Sequence, residues 1–424
     1  MIRISIPYLI TITAAIALLI AGSSLLTGDI IGFQNQTHET ARAKVHGVLE
    51  RVEQSETDFF DSYFDDDEYT DSINDIAEGS DITMEDLDEE YDYSSFFSMV
   101  PGKRILFEAK ISKGPRKGQV VTAEQTFSPM LIDRSKEVEK GDNILLFNNG
   151  VGWYFNGYFR INKILLLGIL FAVLLIVFGG KKGFNTILSL GFTCAAIFTV
   201  FVPAILSGKN IYVMSLLVCA YTSAMVPLIV MGYNKKSLAA ITGCAGGVLI
   251  AGLITLIMDK AMHLTGIVDE HSRYLVNLPG DTQIDLKALI FAGIIIGAMG
   301  AIMDVSISLS SALWEIKEKA KSIQFKELVR SGFNIGRDIM GTMADTLILA
   351  YIGSSLTLVL LLTISSRSLL ELFNSEMIAV EVLQALAGSL GILFAMPLTA
   401  LFCGLIYIKN EKNSSGDSVK QAEI

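Results

Sequence analysis

The sequence is poor in the residues that build metal sites and disulfides. It has four cysteines and four histidines among 424 residues. The cysteines all lie within apolar runs, at Cys194, Cys219, Cys244 and Cys403, and indicate neither a disulfide framework nor a zinc site. His263 and His271 lie among carboxylates in the loop 259–287, but their separation favours ordinary solvated side chains over a metal site. We therefore expect no bound metal and no cofactor.

Sequence motifs of enzymes are missing as well. The chain contains no G-x-x-x-x-G-K-S/T phosphate-binding loop, no G-x-S-x-G nucleophile turn and no H-E-x-x-H zinc motif. No segment on the predicted cytoplasmic side is large enough for an ATPase domain. We expect a protein that is not an enzyme and that does not bind nucleic acid.

Lys and Arg are absent from one long acidic segment. Of the 44 acidic residues, 18 lie between Glu53 and Asp92, so the rest of the chain is basic on balance despite the net charge of −11. The interspersed Phe and Tyr leave weak Ca²⁺ binding or attraction of a basic partner open, but EF-hand spacing is missing because position 70 is Thr. A solvated, disordered insertion at 53–93 is favoured.

Long apolar runs dominate the remainder. Hydrophobic residues make up 51% of the chain and the mean hydropathy is +0.50, which predicts an all-α polytopic membrane protein in a lipid bilayer. We expect about eight transmembrane helices. The first lies within 1–27, and the others are at 163–179, 184–206, 211–231, 237–258, 288–309, 345–365 and 381–408.

A polar domain follows the first span. Alternating segments predict strands at Ala43–Val52, Arg104–Ile111, Gln119–Gln125 and Asn143–Phe147. Four or five short strands with glycine turns predict a small β-barrel, OB-like or SH3-like, and the pattern does not choose between them. Tyr154 and Tyr158 after it have the character of membrane-interface aromatics.

The distribution of basic residues predicts the topology. Lysines between the spans and in the tail fall on one side, which gives cytoplasmic termini and an extracytoplasmic β-domain. The predicted divisions are an uncleaved membrane anchor at 1–27 (with a cleaved signal peptide as the alternative), a β-rich domain at 28–160, a seven-helix membrane domain at 161–408 and a cytoplasmic tail at 409–424.

Two polar stripes mark the sixth and seventh spans. At 100° per residue, six small or polar residues fall within about 40° of one line, namely Gly293, Gly297, Gly300, Asp304, Ser308 and Ser311. A second set falls within about 60° of one line and comprises Asn334, Asp338, Gly341, Thr342 and Asp345. Because small residues allow close helix approach in lipid, we expect the two stripes to face each other, with Gly293, Gly297, Gly300 and Gly341 as packing positions.

The segment between these spans is predicted to be a separate helix. Residues 312–332 mix apolar residues with Lys and Glu, which is typical of an amphipathic helix lying on the inner membrane surface. A helix that docks a partner protein is the alternative.

Asp304 is the strongest candidate functional residue. It lies ten residues before Trp314, an interface-type aromatic, and therefore about 15 Å deeper in the membrane. An intramembrane carboxylate of this kind can relay protons. Ser308, Ser311 and Thr342 could hydrogen-bond it, and Arg337 could reach it if its helix starts deep. The alternative is that Asp304 and Asp345 are packing or capping residues.

Four runs carry a resemblance to a known family. GAMGAIMDVSISLSSALWE, KELVRSGFNIGRDIMGT, DTLILAYIG and MPLTALF resemble the YibE/F family of bacterial multispanning membrane proteins. The resemblance extends from about Lys103 and implies a bacterial plasma-membrane protein, with no established biochemical function. The family often has Asn where this chain has Asp345. The layout is also similar to that of the proton-driven RND and SecDF membrane proteins.

Two functions remain in view. The first is a proton-coupled transporter or export factor for an unidentified small molecule or lipid, with Asp304 as the coupling carboxylate and Asp345, Asp338 and Asn334 on the facing stripe. A homo-oligomer or a second membrane subunit could complete its pathway. The second is a membrane scaffold or sensor whose β-domain binds a partner or envelope component.

Overall fold

The computed structural model describes residues 6–26, 39–53, 103–114, 116–127, 136–268, 270–276, 284–320, 322–365 and 368–421. The chain forms two compact units, one of residues 34–170 and the other of residues 1–33 and 171–424. Each has a hydrophobic core of its own. The predicted acidic insertion lies outside the described residues from position 54 onward.

The first unit is a closed barrel of five strands. They are β1 (Glu39–Glu53), β2 (Lys103–Lys113), β3 (Val120–Phe127), β4 (Asn143–Asn148) and β5 (Trp153–Tyr158). The strand order is β1-β2-β3-β5-β4, with β1 also paired to β4, and every neighbouring pair is antiparallel except β3 and β5. Register shifts in β1 bend this long strand so that it pairs with both neighbours.

Alternation of side chains builds the barrel core. On β2, Ile105, Phe107 and Ile111 are fully or almost fully buried while their neighbours are more exposed, as the two-residue period of a strand requires. The predicted small β-barrel is therefore confirmed. The fifth strand was missed because Tyr154 and Tyr158 were interpreted as interface aromatics, whereas both lie in β5.

A hydrogen-bonded strap lies against the barrel at residues 136–138. The buried amide of Gln125 accepts from the Val138 N–H at 2.9 Å and donates to the Lys136 carbonyl at 3.1 Å. The Tyr158 hydroxyl contacts the carbonyls of Lys136 and Glu137, each at 2.8 Å. Burial raises the pKa of Tyr158, so the phenol remains a neutral donor to these carbonyls at physiological pH.

The second unit is helical. Its elements, with the helix that leads into it, are α1 (Ile6–Leu26), α2 (Ile161–Ala195), a π-helical turn (Ala196–Phe201), α3 (Val202–Leu206), α4 (Ile211–Met231), α5 (Lys235–Met262), α6 (Glu270–Val276), α7 (Leu286–Lys319), α8 (Phe325–Ser354), α9 (Leu356–Ser365), α10 (Leu369–Asn374) and α11 (Glu376–Gln421).

Within the described residues, five helices are long and apolar enough to cross a membrane, or six if the bent pair α8–α9 is one span. The predicted number of eight is not confirmed within these residues. The predicted spans 163–179 and 184–206 are separated as expected, because two helices meet at a kink with non-helical angles at Gly180, and the count of five takes the whole stretch Ile161–Leu206 as one. In α1, the segment whose side chains the structure describes, Ile10–Ile20, is apolar.

The predicted span 345–365 has the wrong start and is not one straight helix. Residue 345 lies in the middle of α8, which begins twenty residues earlier at Phe325, and the helical path bends by 58° between α8 and α9. The polar residues before position 345 had suggested a surface segment. Apolar residues on the other face of this part of α8 pack into the helical core instead. Mean hydropathy does not detect a helix that has one polar and one packed face, so the predicted start was too late.

The predicted surface helix at 312–332 is also wrong. Residues up to Lys319 continue α7, and α8 begins at Phe325. At the start of α8 the Glu327 carboxylate accepts a 3.3 Å hydrogen bond from the Gln324 N–H. Leu313 and Leu328, which lie in the predicted surface helix, are fully buried in the helical core.

Small residues hold the centre of the helical unit together. A Cβ added at Gly243 of α5 would overlap the Thr399 hydroxyl of α11, and one added at Gly246 would lie 2.5 Å from Leu398. These two glycines of α5 therefore allow close packing against α11. Thr399 also hydrogen-bonds Ser306 of α7 at 3.2 Å, so α5, α7 and α11 meet through small and hydroxyl-bearing residues, as is typical of membrane helices.

Candidate functional site

Helices α7 and α8 form a hairpin that contains both predicted stripes. Asp285 caps the start of α7 by accepting a 3.1 Å hydrogen bond from the Ala288 N–H. The helix then runs unbroken to Lys319, and Asp304 lies near its middle. The aspartate is therefore far from either end of a long apolar helix.

The α7 stripe lies on the face of the helix that the rest of the chain leaves uncovered. Its members are exposed apart from Ser311, which is half-buried: Gly293, Gly297, Gly300, Asp304, Ser308 and Ser311. The opposite face is packed, with Ile295, Ile302 and Leu309 fully buried. Because 3.6 residues make a turn, the stripe and the packed face are distinct sides of one helix.

The α8 stripe is exposed in the same way. Its members and the neighbouring arginine are Asn334, Arg337, Asp338, Gly341, Thr342 and Asp345. The packed side of α8 carries Gly332, at which a Cβ would lie 2.8 Å from Ala400 of α11, and Gly336, at which a Cβ would overlap Met396 of α11. The sequence analysis missed these two glycines, although their G-x-x-x-G spacing is the signal of a helix contact.

The two stripes do not bury each other. Around Gly293, Gly300 and Gly341 there is no described atom within 4 Å of the position a Cβ would occupy, so these glycines do not pack against another helix of this chain. The Thr342 hydroxyl donates to the Ile339 carbonyl of its own helix rather than to Asp304. Gly297 differs, because the Tyr351 hydroxyl lies 2.6 Å from its Cβ position.

The charged residues of the hairpin are not paired with one another. In the part of the chain that the structure describes, the ion pairs all lie in the barrel unit and none includes Asp304, Asp338, Asp345 or Arg337. Three carboxylates and one guanidinium are therefore available on the exposed faces. Charged groups at such positions in a membrane protein require water, a proton or another chain.

The described residues hold no group of three or more His, Cys, Asp or Glu side chains close enough to bind a metal ion. His263 is at the end of α5, where it adopts a left-handed conformation with φ of 53°. It therefore acts as the C-terminal cap of that helix.

Comparison with known proteins places the helical unit in a family. No curated protein and no solved structure matches the chain. A family model described as YibE/F-like protein matches residues 167–409, more than half of the chain. The matched region begins after the barrel and contains both stripes, including the runs that suggested the resemblance. The chain is an integral membrane protein that belongs to the YibE/F-like family.

Proposed function

We propose that this protein is a proton-coupled secondary transporter or export factor, in which Asp304 binds and releases the coupling proton. The observation that carries the proposal is the position of Asp304: mid-helix, on an exposed face, with no ion pair among the described residues. An aspartate at the centre of a membrane helix costs about 3 kcal/mol on insertion scales. A binding role would explain why that cost is tolerated.

The surroundings of Asp304 favour access to its carboxyl group. Gly300 lies one turn before it and Ser308 one turn after it, so no bulky side chain of the stripe shields it. The hydroxyls of Ser308 and Ser311 can hydrogen-bond either protonation state. A carboxyl group with this freedom can exchange a proton with water that enters along the glycine line.

The second stripe supplies the remaining groups of the relay. Asp338 and Asp345 are additional proton carriers, with Asp345 assisting Asp304, and Arg337 stabilises their charged forms. Asn334 and Thr342 contribute neutral hydrogen bonds. We propose that a second copy or a second membrane subunit covers the exposed faces, and that the substrate is a small molecule or lipid. The protein would act in the plasma membrane of a bacterium, with both termini cytoplasmic.

An alternative function comes from the barrel. The strand order β1-β2-β3-β5-β4 with a parallel β3–β5 pair supports the OB-like interpretation, and OB barrels bind oligosaccharides and oligonucleotides on the face of strands 2 and 3. An extracytoplasmic barrel of this type would bind an envelope component such as a glycan. The protein would then be a membrane scaffold or sensor.

The test compares metabolites and lipids inside and outside a deletion strain. The strain is complemented at matched expression with wild type, Asp304→Asn or Asp285→Asn. The last variant is the control, because it makes the same chemical change on α7 and keeps an N-cap residue. A compound whose distribution is restored by wild type and Asp285→Asn but not by Asp304→Asn supports transport. Equal restoration by all three overturns the role of Asp304 and favours the scaffold.

A further inference from the structure

One carboxyl oxygen of the helical unit is buried without a hydrogen-bond partner. It is Oε2 of Glu381, on the second turn of α11. Glu381 as a whole is half-buried, but a buried carboxylate oxygen that has lost its water and gained no donor is unfavourable. A proton or a bound cation on this oxygen would remove that cost.

Glu376, five residues earlier on the same helix, is a carboxylate whose two oxygens both have hydrogen-bond donors. Its two oxygens accept from the Thr265 N–H at 2.7 Å, the Gly266 N–H at 2.8 Å and the Thr265 hydroxyl at 2.8 Å. Both of its oxygens therefore have donors. The contrast on one helix indicates that Glu381 is not simply another surface acid.

Other polar groups surround Glu381. The Tyr351 side chain of α8 hydrogen-bonds Gln384 of α11 and interacts electrostatically with Glu381. Both Tyr351 and Gln384 lie over Gly297 of α7: a Cβ there would be 2.6 Å from Tyr351 Oη and 3.8 Å from Gln384 Nε2. The glycine of α7 therefore leaves space beside the Tyr351 hydroxyl of α8 and the Gln384 amide of α11.

The cluster lies close to the break in α8. Tyr351 is three residues before Ser354, where α8 ends and the path bends by 58° into α9. The carbonyl end of a helix carries partial negative charge, which favours a cation. Discontinuous helices with exposed carbonyl ends form the cation sites of several transporter folds.

We propose that Glu381, Tyr351 and Gln384 form a binding site for a monovalent cation, either a proton or Na⁺. Gly297 belongs to the same stripe as Asp304 and lies seven residues, or about 10 Å, from it. The site therefore lies beside the glycine stripe of α7 that leads to Asp304. A role of this site in transport rests on the proposed transport function. The binding of a cation at the site does not.

The test is chemical labelling of the purified full-length protein with an apolar carbodiimide. A protonated carboxyl group gives its proton to a carbodiimide nitrogen while its oxygen bonds the central carbon, and the adduct rearranges to a stable N-acylurea with no leaving group. Peptide mass spectrometry then reads each carboxyl group separately. Glu381 is expected to be labelled and Glu376, held by three donors, is expected to stay unlabelled.

The conditions distinguish the two cations. Labelling that falls as pH rises and ignores Na⁺ assigns a proton site; labelling that Na⁺ slows at fixed pH, with choline as the control ion, assigns a Na⁺ site. Tyr351→Phe should change the proton or Na⁺ concentration at which half of Glu381 is labelled, and the change should be several-fold. Absent labelling of Glu381, or labelling that responds to neither pH nor Na⁺, overturns the proposal. If the site labels as expected while Asp304→Asn retains function in cells, the transport mechanism fails and the site stands.

Discussion

Gly391 of α11 lies against the backbone of Gly247 of α5. A Cβ on Gly391 would be 3.2 Å from the Gly247 carbonyl oxygen, and a Cβ on Gly247 would be 2.9 Å from the Gly391 carbonyl oxygen. Ile302 of α7 fills the remaining side, 2.8 Å from both Cβ positions. The three central helices therefore converge where α5 and α11 each have a glycine in place of a side chain.

Gly391→Val should destabilise the helical unit, by about 1–3 kcal/mol. The added atoms would meet backbone and a buried isoleucine, neither of which can rotate away. The measurement is the midpoint of thermal unfolding in detergent. Gly191→Ala is the control, because no described atom lies within 4 Å of its Cβ position and alanine favours a helix. Equal midpoints for the two variants would contradict the packing argument.

Glu376→Gln should loosen the loop after α5. The carboxylate accepts three hydrogen bonds from Thr265 and Gly266, and an amide has one acceptor oxygen in place of two. We expect a loss of about 1–3 kcal/mol, read as faster proteolysis near residue 265. Glu315→Gln, an exposed acid on α7, is the control. Unchanged cleavage in Glu376→Gln would show that these bonds do not hold the loop.

Acid should weaken the barrel through Glu137. A hydrogen bond from Lys103, with the charges of Lys103 and Arg51, holds the pKa of Glu137 below its ordinary value of 4.5. A carboxyl group with a lowered folded-state pKa stabilises the fold above its unfolded pKa, and the contribution is lost as pH falls through the folded pKa. Wild type should therefore be more stable than Glu137→Gln near neutral pH, and the difference should vanish well below pH 4.5.

Fluorescence can follow this loss in the barrel alone. The chain has two tryptophans, and Trp153 is buried in the barrel core. In a Trp314→Phe background the emission of Trp153 reports denaturant unfolding of the barrel at each pH. A stability difference between wild type and Glu137→Gln that is constant from neutral pH to pH 2 would contradict the ion-pair contribution.

The segment 54–102 should be replaceable by a short turn. Glu53 at the end of β1 is the register partner of Lys103 at the start of β2, so a two- to four-residue glycine–asparagine turn can join them. The shortened protein should keep the Trp153 emission of the full-length chain. A matched variant with the segment scrambled at constant composition separates length from sequence. Loss of the buried-tryptophan signal in the shortened protein alone would show that the barrel needs the segment.

The fold class could be predicted from the sequence because it depends on local patterns. Apolar runs define membrane helices, two-residue alternation defines strands such as β2, and both patterns are visible without knowledge of any neighbour. The run around Asp338 was specific enough to indicate the family. Asp304 and Ser308 were correctly placed on one face of a helix, since that placement requires only the helical period.

The tertiary structure decided which faces of the helices are covered. In a bilayer, the lipid around a helix is as apolar as the helices that pack against it. The periodicity of apolar residues therefore does not distinguish the packed face from the face exposed to lipid. Gly332 and Gly336 pack α8 against α11 and turn Asp338 outward, whereas the sequence had suggested that the polar stripes meet. Tyr351 and Glu381 come together only because three helices converge near Gly297. The sequence alone determined the membrane class, the family and the period of each element; the tertiary structure decided the partners of each face, because contacts between distant segments depend on shape rather than on local pattern.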